Sequence, residues 1–217
     1  MVQKEHLISF WRERRLDERL IDAFLHVPRE FFVSPDLLDQ AYHDHPLPTL
    51  RGQSLSQPST VMFMTQALDI REGHTVLEIG SGVGFQACLL GYLTGSTGKV
   101  ITTEIIPELV HVARRNVEGL KCSHVQVLER DGSQGVPEEA PFDRVMITAA
   151  CPQIPQPIIE QTKEGGIIVA PIGDLKEQTM VKATKVGKRL EFEFLGNFVF
   201  VPMQGKYGFK TEINVNV

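Results

Sequence analysis

Near the start of the chain, apolar residues recur at helical spacing: Leu16, Leu20, Ala23, Phe24, Val27 and Phe31. That rhythm predicts an amphipathic helix over roughly residues 16–27, stopped at Pro28. Residues 34–60 lose the rhythm. Pro35, Pro46, Pro48 and Pro58 punctuate them, together with Gly52 and several serines. Long irregular segments inside compact domains often carry function. A helix is expected to restart after Pro58, with Ser59 as its N-cap and Val61, Met64, Ala67 and Leu68 facing inward.

From Thr75 onward the pattern alternates. Apolar runs predict strands at 75–79, 100–103, 125–128, 142–147 and 167–170. Helical patterns separate them at about 86–93, 108–117 and 155–163. Strands alternating with helices imply parallel βαβ units, hence an α/β fold with a doubly wound, mostly parallel sheet. Runs at 179–185 and 190–194 alternate apolar and polar around Gly187-Lys188, which predicts a C-terminal antiparallel hairpin. No internal repeat interrupts this order. Residues 1–217 read as one domain: a helical and irregular region over 1–72, a ligand-binding core over 73–174 and C-terminal strands over 175–217.

Composition narrows the class. Of 217 residues, 42% are hydrophobic and 23% charged, as in ordinary soluble domains. No apolar run approaches the ~20 residues of a membrane span, and the charged start lacks the apolar core of a signal peptide. A net charge of −5 gives no broad nucleic-acid surface. Arg12, Arg14, Arg15 and Arg19 cluster, but interleaved acids make a solvated helix face the better reading. Cys88, Cys122 and Cys151 lie far apart in sequence and form neither a metal spacing nor a disulfide framework. His43 and His45 flank Asp44 without a third ligand at useful spacing, so no metal site is expected. Met62-Phe63-Met64 reads as core. The expected protein is cytoplasmic and monomeric.

The candidate chemistry sits at Glu78-Ile79-Gly80-Ser81-Gly82-Val83-Gly84, which ends the first strand of the alternating region and opens a helix. Alpha/beta sheets bind ligands there, and glycines let backbone approach them closely. The dinucleotide fingerprint G-x-G-x-x-G fails, because Phe85 occupies its third glycine position. The register Glu-x-Gly-x-Gly-x-Gly instead resembles the first motif of class I methyltransferases, which bind S-adenosylmethionine. Glu104 closes the second strand of that region, where a carboxylate can accept hydrogen bonds from ribose hydroxyls. Asp131-Gly132 follows the third, where a carboxylate can meet the adenine amino group. One acid at a strand end is an ordinary solvated residue. Three at successive strand ends beside a glycine loop read as a site.

Four further stretches narrow the resemblance. They are Ala41-Tyr42-His43-Asp44-His45-Pro46-Leu47-Pro48, Gly52-Gln53-Ser54-Leu55-Ser56-Gln57-Pro58, the segment from Pro141-Phe142-Asp143 to Thr148-Ala149-Ala150, and Phe200-Val201-Pro202-Met203 with Gly205 and Tyr207-Gly208. With them the chain resembles protein-L-isoaspartate O-methyltransferases from about Phe24 to Lys210. The glycine motif is shared with many methyltransferases, whereas the 52–58 stretch is far more specific.

The resemblance implies methyl transfer from S-adenosylmethionine to the free α-carboxylate of L-isoaspartyl residues in proteins and peptides. The product cofactor is S-adenosylhomocysteine, and the ester then closes to a succinimide that partly reopens to normal aspartate. It also implies that Ser56 stands beside the substrate carboxylate. Gln53, Ser54, Leu55, Glu78, Gly80, Ser81, Gly82, Gly84, Glu104, Asp131 and Gly132 are the expected cofactor-binding set. Ser54 and Leu55 replace the commoner threonine and isoleucine, and Phe85 stands where tyrosine is frequent. The 41–58 loop and the 201–208 stretch are expected to wall a peptide groove.

The chemistry agrees with the residues. An isoaspartyl α-carboxyl has a pKa near ~3.5 and is ionised at neutral pH. It needs no general base, and the sequence offers no compelling His/Asp or Cys/His pair. Rival readings fit less well. Thr148-Ala149-Ala150-Cys151-Pro152 stands where many nucleic-acid amine methyltransferases carry Asn/Asp-Pro-Pro-aromatic, and the missing third glycine opposes a nicotinamide enzyme. A carboxylate methyltransferase with a dedicated peptide substrate and a non-catalytic cofactor-binding adaptor remain as alternatives.

Overall fold

A computed structural model describes residues 2–210 of the 217. Helix α1 (Val2–Glu13), which the rhythm over 16–27 does not cover, precedes the expected helix, α2 (Glu18–His26). Asp17 causes the restart: its side chain accepts a hydrogen bond from the Arg19 backbone N–H, capping α2. Two of the four clustered arginines are neutralised locally. Arg12 pairs with Glu18 and Arg19 with Asp17, all solvent-exposed. Trp11 is fully buried, stacks edge-on against Phe24 at 4.7 Å, and donates its indole N–H to Ser59 Oγ at 2.8 Å. Burying one such large side chain contributes about 1.5–3 kcal/mol.

The 34–60 region is irregular, as expected, but holds a minimal hairpin. Strand β1 (Leu47–Pro48) pairs with β2 (Ser54–Leu55). Its tip closes with Thr49 N–H donating to Gln53 O at 2.8 Å, and both Arg51 and Gly52 are left-handed. Helix α3 (Pro58–Leu68) starts two residues earlier than expected: Gln57 is its N-cap and Pro58 its first residue. Ser59 lies inside the helix instead, where its N–H donates to Asp44 Oδ1. Val61, Met64 and Leu68 are buried as predicted, and Ala67 is partly so.

Beyond α3 the alternation holds closely, except that the strand expected at 167–170 begins at Thr162, inside the span expected to be helical. Strands β3 (Thr75–Ile79), β4 (Lys99–Glu104), β5 (Val125–Glu129), β6 (Phe142–Ile147) and β7 (Thr162–Gly173) are separated by α4 (Phe85–Thr94), α5 (Pro107–Gly119), two short 3-10 turns and α6 (Gln156–Gln161). Strands β8 (Gln178–Val186) and β9 (Arg189–Phe198) form the antiparallel ribbon turning at Gly187-Lys188. The seven-stranded sheet runs β5-β4-β3-β6-β7-β8-β9, parallel through β7. Its windings reverse between β3 and β6, the place where such sheets open a crevice at their carboxyl ends. One core lies between the sheet and α1 to α5; the second lies under α6 on the opposite face.

Strand β9 contains a bulge. Val181 pairs with Phe194, but Met180 pairs with Gly196, so Leu195 is an extra residue. Gly196 carries the required positive φ of 116°. The expected strand at 190–194 ends where this bulge breaks the alternation.

Candidate active site

The crevice between β3 and β6 is a cleft enclosing about 960 Å³, its mouth included. Gly80 follows β3, and a Cβ there would lie 2.5 Å from Thr148 Oγ1, so only glycine fits between the two strand ends. Thr148 fastens the junction by donating to the carbonyl oxygens of Ile79 and Gly80. Gly132 is equally constrained, since a Cβ would come within 2.2 Å of Thr103 Oγ1.

Two carboxylates face this floor with opposite environments. Glu104 receives three backbone N–H groups, from Gly82 (2.9 Å), Ile105 (2.8 Å) and Ile106 (3.0 Å), so the glycine loop and the entry to α5 hold one carboxylate between them. Glu78 is fully buried and accepts only Thr102 Oγ1 at 2.5 Å. Its Oε1 has no partner. Burial pushes this carboxyl up to about 8. An orphaned acceptor in an apolar floor favours a cationic or hydrogen-bond-donating ligand group.

All the expected site residues line this cleft except Gly84 and Asp131: Ser56 with Gln53, Ser54 and Leu55 form one wall, and Glu78, Gly80, Ser81, Gly82, Glu104 and Gly132 form the floor. Gly84 caps α4 and packs against Ala113 of α5, where a Cβ would meet backbone at 3.4 Å. Asp131 is already fully engaged. Its Oδ1 accepts Ser133 N–H and Oγ–H; its Oδ2 accepts Gln134 Nε2 and Lys206 N–H. Four donors fill a carboxylate's acceptor sites and leave none for an adenine amino group. The carboxyl is raised by partial burial but lowered further by the donors from Lys206, Ser133 and Gln134, so it sits below its ordinary range.

What Asp131 holds is the strap 199–208. This segment is stitched to the end of β6 by Ala150 N–H to Val201 O (2.8 Å) and Met203 N–H to Ala150 O (2.7 Å). Pro202, Met203 and Gln204 thereby close the cleft, which the sequence reading assigned only to a peptide groove. Met64, read as core, also lines it. Nothing in the local pattern of 202–204 marks a ligand wall; only its family likeness did.

A second groove of about 1060 Å³ adjoins the first. Pro46, Ser54, Ser56 and Gln57 form one side and Phe198, Val199, Phe200 and Val201 the other. The 41–58 loop and the start of the 201–208 stretch thus meet. Gly205 to Gly208 do not line the groove; Gly205 lies against Asp131, where a Cβ would reach Oδ1 at 2.1 Å. Ser54, Ser56, Thr148, Phe200 and Val201 border both cavities.

Known proteins resemble this chain in sequence and fold. A family profile described as protein-L-isoaspartate(D-aspartate) O-methyltransferase matches residues 2–208. Relatives named protein-L-isoaspartate O-methyltransferase include one from Methanocella arvoryzae, 46% identical over 85% of this chain and 97% of its own. Another, from Methanothrix thermoacetophila, is 42% identical over 96% and 98%. A solved protein-L-isoaspartate O-methyltransferase superposes with a TM-score of 0.86 at 29% identity, over 94% of this chain and 67% of that one. A Plasmodium falciparum structure described as a putative enzyme of this kind, in complex with S-adenosyl-L-homocysteine, shares the fold with a TM-score of 0.80 at 20% identity over 92% and 97%. A profile match across residues 2–208, with relatives of that name 46% and 42% identical over most of the chain, places this chain in the protein-L-isoaspartate(D-aspartate) O-methyltransferase family.

Proposed function

We propose that this enzyme methylates the α-carboxylate of L-isoaspartyl residues, taking S-adenosylmethionine in the β3/β6 cleft and the damaged peptide in the adjoining groove. The observation that carries this division is the shared border at Ser54, Ser56 and Thr148. It lets two ligands meet while their bulk stays apart.

The residues fit the cofactor. Glu104 supplies a preorganised carboxylate for ribose hydroxyls, and the Glu78 carboxyl, with Oε1 unpartnered, offers a further hydrogen-bonding group on the floor. Gly80 and Gly82, both at positive φ, keep side chains off that floor. When bound, S-adenosylmethionine supplies an electrophilic methyl group on a sulfonium. The chain's own work is placement: Ser56 donates a hydrogen bond to one carboxylate oxygen of the substrate, while the strap and the apolar walls exclude water. Holding two reactants in near-attack geometry contributes about 7–11 kcal/mol, and water exclusion favours a reaction in which opposite charges neutralise. A neutral hydroxyl orients the carboxylate without stabilising it as strongly as a cation would. Tolerance of many flanking sequences follows if the groove grips peptide backbone. The free thiols Cys88, Cys122 and Cys151 support a cytoplasmic setting, and we take the monomer as the working unit. Among the described residues no helix is long and apolar enough to cross a membrane.

The test compares an isoaspartyl peptide with its aspartyl twin in a methyl-transfer assay. Transfer to the first alone is expected; equal transfer to both, or to neither, sinks the reading. Ser56→Ala should lower turnover at least tenfold, with cofactor affinity within about threefold of the wild type.

A further inference from the structure

Arg29 opens the 3-10 turn Arg29–Phe32 and is 0% exposed. Its Nε donates to Ala41 O at 2.9 Å and its Nη2 to Ser56 O at 2.7 Å. One planar guanidinium therefore spans both ends of the loop that carries the peptide-groove wall. Its carbon lies 5.1 Å from the centroid of Phe85, whose ring also borders the cofactor cleft. None of the ion pairs among the described residues involves Arg29. Its Nη1 has no hydrogen-bond partner. Asp44, the acid whose field reaches it, spends Oδ1 on the Ser59 N–H.

A buried charge without a counter-ion is costly, and two carbonyls could be bridged by a neutral donor. The positive charge needs an anion to offset that cost, and the anion that reaches Ser56 is the substrate. We propose that Arg29 is a positioning residue for the substrate carboxylate: it fixes the Ser56 backbone with its fork and stabilises, with its unpaired charge, an anion held at the Ser56 hydroxyl. Burial lowers the guanidinium only to about 9, so it stays cationic at neutral pH. This inference rests on the assignment of Ser56 to the substrate carboxylate.

The test is a double-mutant cycle on the full chain, with Ser56→Ala, Arg29→Lys and the pair, each checked for folding by circular dichroism. Lysine keeps the charge and loses the fork. Arg29→Lys should lower kcat/KM for the isoaspartyl peptide about tenfold or more, but less than threefold when Ser56→Ala is already present, because the two act through one another. Cofactor Kd should stay within threefold. An equal loss in both backgrounds, or activity within twofold of wild type, overturns the proposal. Ser56→Ala at full turnover would instead sink the Ser56 assignment. Should Arg29→Lys fail to fold, the wild-type enzyme decides: an isoaspartyl peptide should bind at least tenfold more tightly than its α-carboxamide twin, and should keep that preference at 1 M salt, because buried charge is little screened. Equal binding of the two peptides overturns the proposal.

Discussion

The two sides of the cofactor cleft are built by different means. The floor is made of strand ends: Gly80 after β3, Glu104 closing β4 and Gly132 after β5. Their positions follow from a hydrogen-bonded ladder, and close contacts with Thr148 and Thr103 forbid side chains at the two glycines. The lid side is made of a two-residue hairpin and the strap 199–208, neither of which has a ladder of any length. Apart from the backbone bonds of the strap to Ala150, it is held by single side chains: Arg29 and Arg51 on the hairpin, Asp131 and Ser133 on the strap. A site with one rigid side and one side fastened at points can admit two ligands in turn and still close over them.

Substitutions should therefore hurt the floor as a packing defect and the lid as a loosening. The largest effect is expected for Gly80→Ala. The new Cβ meets Thr148 Oγ1 at 2.5 Å and requires a φ of 97° that alanine resists. Strain and overpacking of about 2–4 kcal/mol should lower Tm by about 5–10 °C and abolish measurable cofactor binding. Calorimetry showing an unchanged Tm would contradict the rigid-floor view.

Glu78→Gln comes next, and its signature is pH dependence. The folded carboxyl lies near 8, above its ordinary 4.5. A raised value means that the native state holds the proton more tightly. The associated stability is complete below the ordinary value and is lost as pH rises through about 8. Without ligand, the wild type should lose Tm between pH 5 and 8 relative to Glu78→Gln, whose difference curve marks the group. Parallel curves would remove Glu78 from that role. Asp131→Asn is milder. Its carboxyl is depressed, so its contribution is present above the ordinary range of about 3.9 and fades as pH falls through the lower folded value. The amide turns a donor toward donors, so proteolysis within 199–208 should accelerate and cofactor affinity fall about threefold to tenfold. A cofactor analogue lacking the adenine amino group should lose the same affinity factor in both proteins; a smaller loss in the variant would return Asp131 to adenine binding. Arg51→Ala is the gentlest. Its pair with Glu108 at the start of α5 is exposed, so cofactor KM should shift less than about fivefold, and high salt should erase the shift.

The same division explains what could be read in advance. Strand and helix periodicity placed β3 and β6 to the residue, and with them the floor. Regular elements announce themselves because one buried face repeats every two or 3.6 residues. The hairpin tip gave no such signal. Its shape depends on left-handed Arg51 and Gly52 and on a partner far away in sequence, Glu108. Helix α1 was missed as a separate element because the cap that divides it from α2 is a single aspartate inside a charged run. Asp131 was placed correctly at a strand end, yet one of its four donors, the Lys206 N–H, comes from 75 residues away, and no local pattern announces that clasp. Arg29 carried no pattern at all, since a lone arginine beside a proline reads as surface until its burial is known.

The extra residue in β9 has a consequence for the peptide groove. Along a pleated strand, parity decides which layer a side chain joins. Before Leu195, Phe192 and Phe194 share one side with Val181; after it, Phe198 sits opposite Gln178 on the other side and borders the groove. Ironing the bulge out, so that Leu195 itself paired with Met180, would hand Asn197 the place of Phe198 and send the aromatic ring to the far layer. A pocket wall more than a hundred residues along the chain from the hairpin it faces is thus indexed by a single insertion in an outer ribbon.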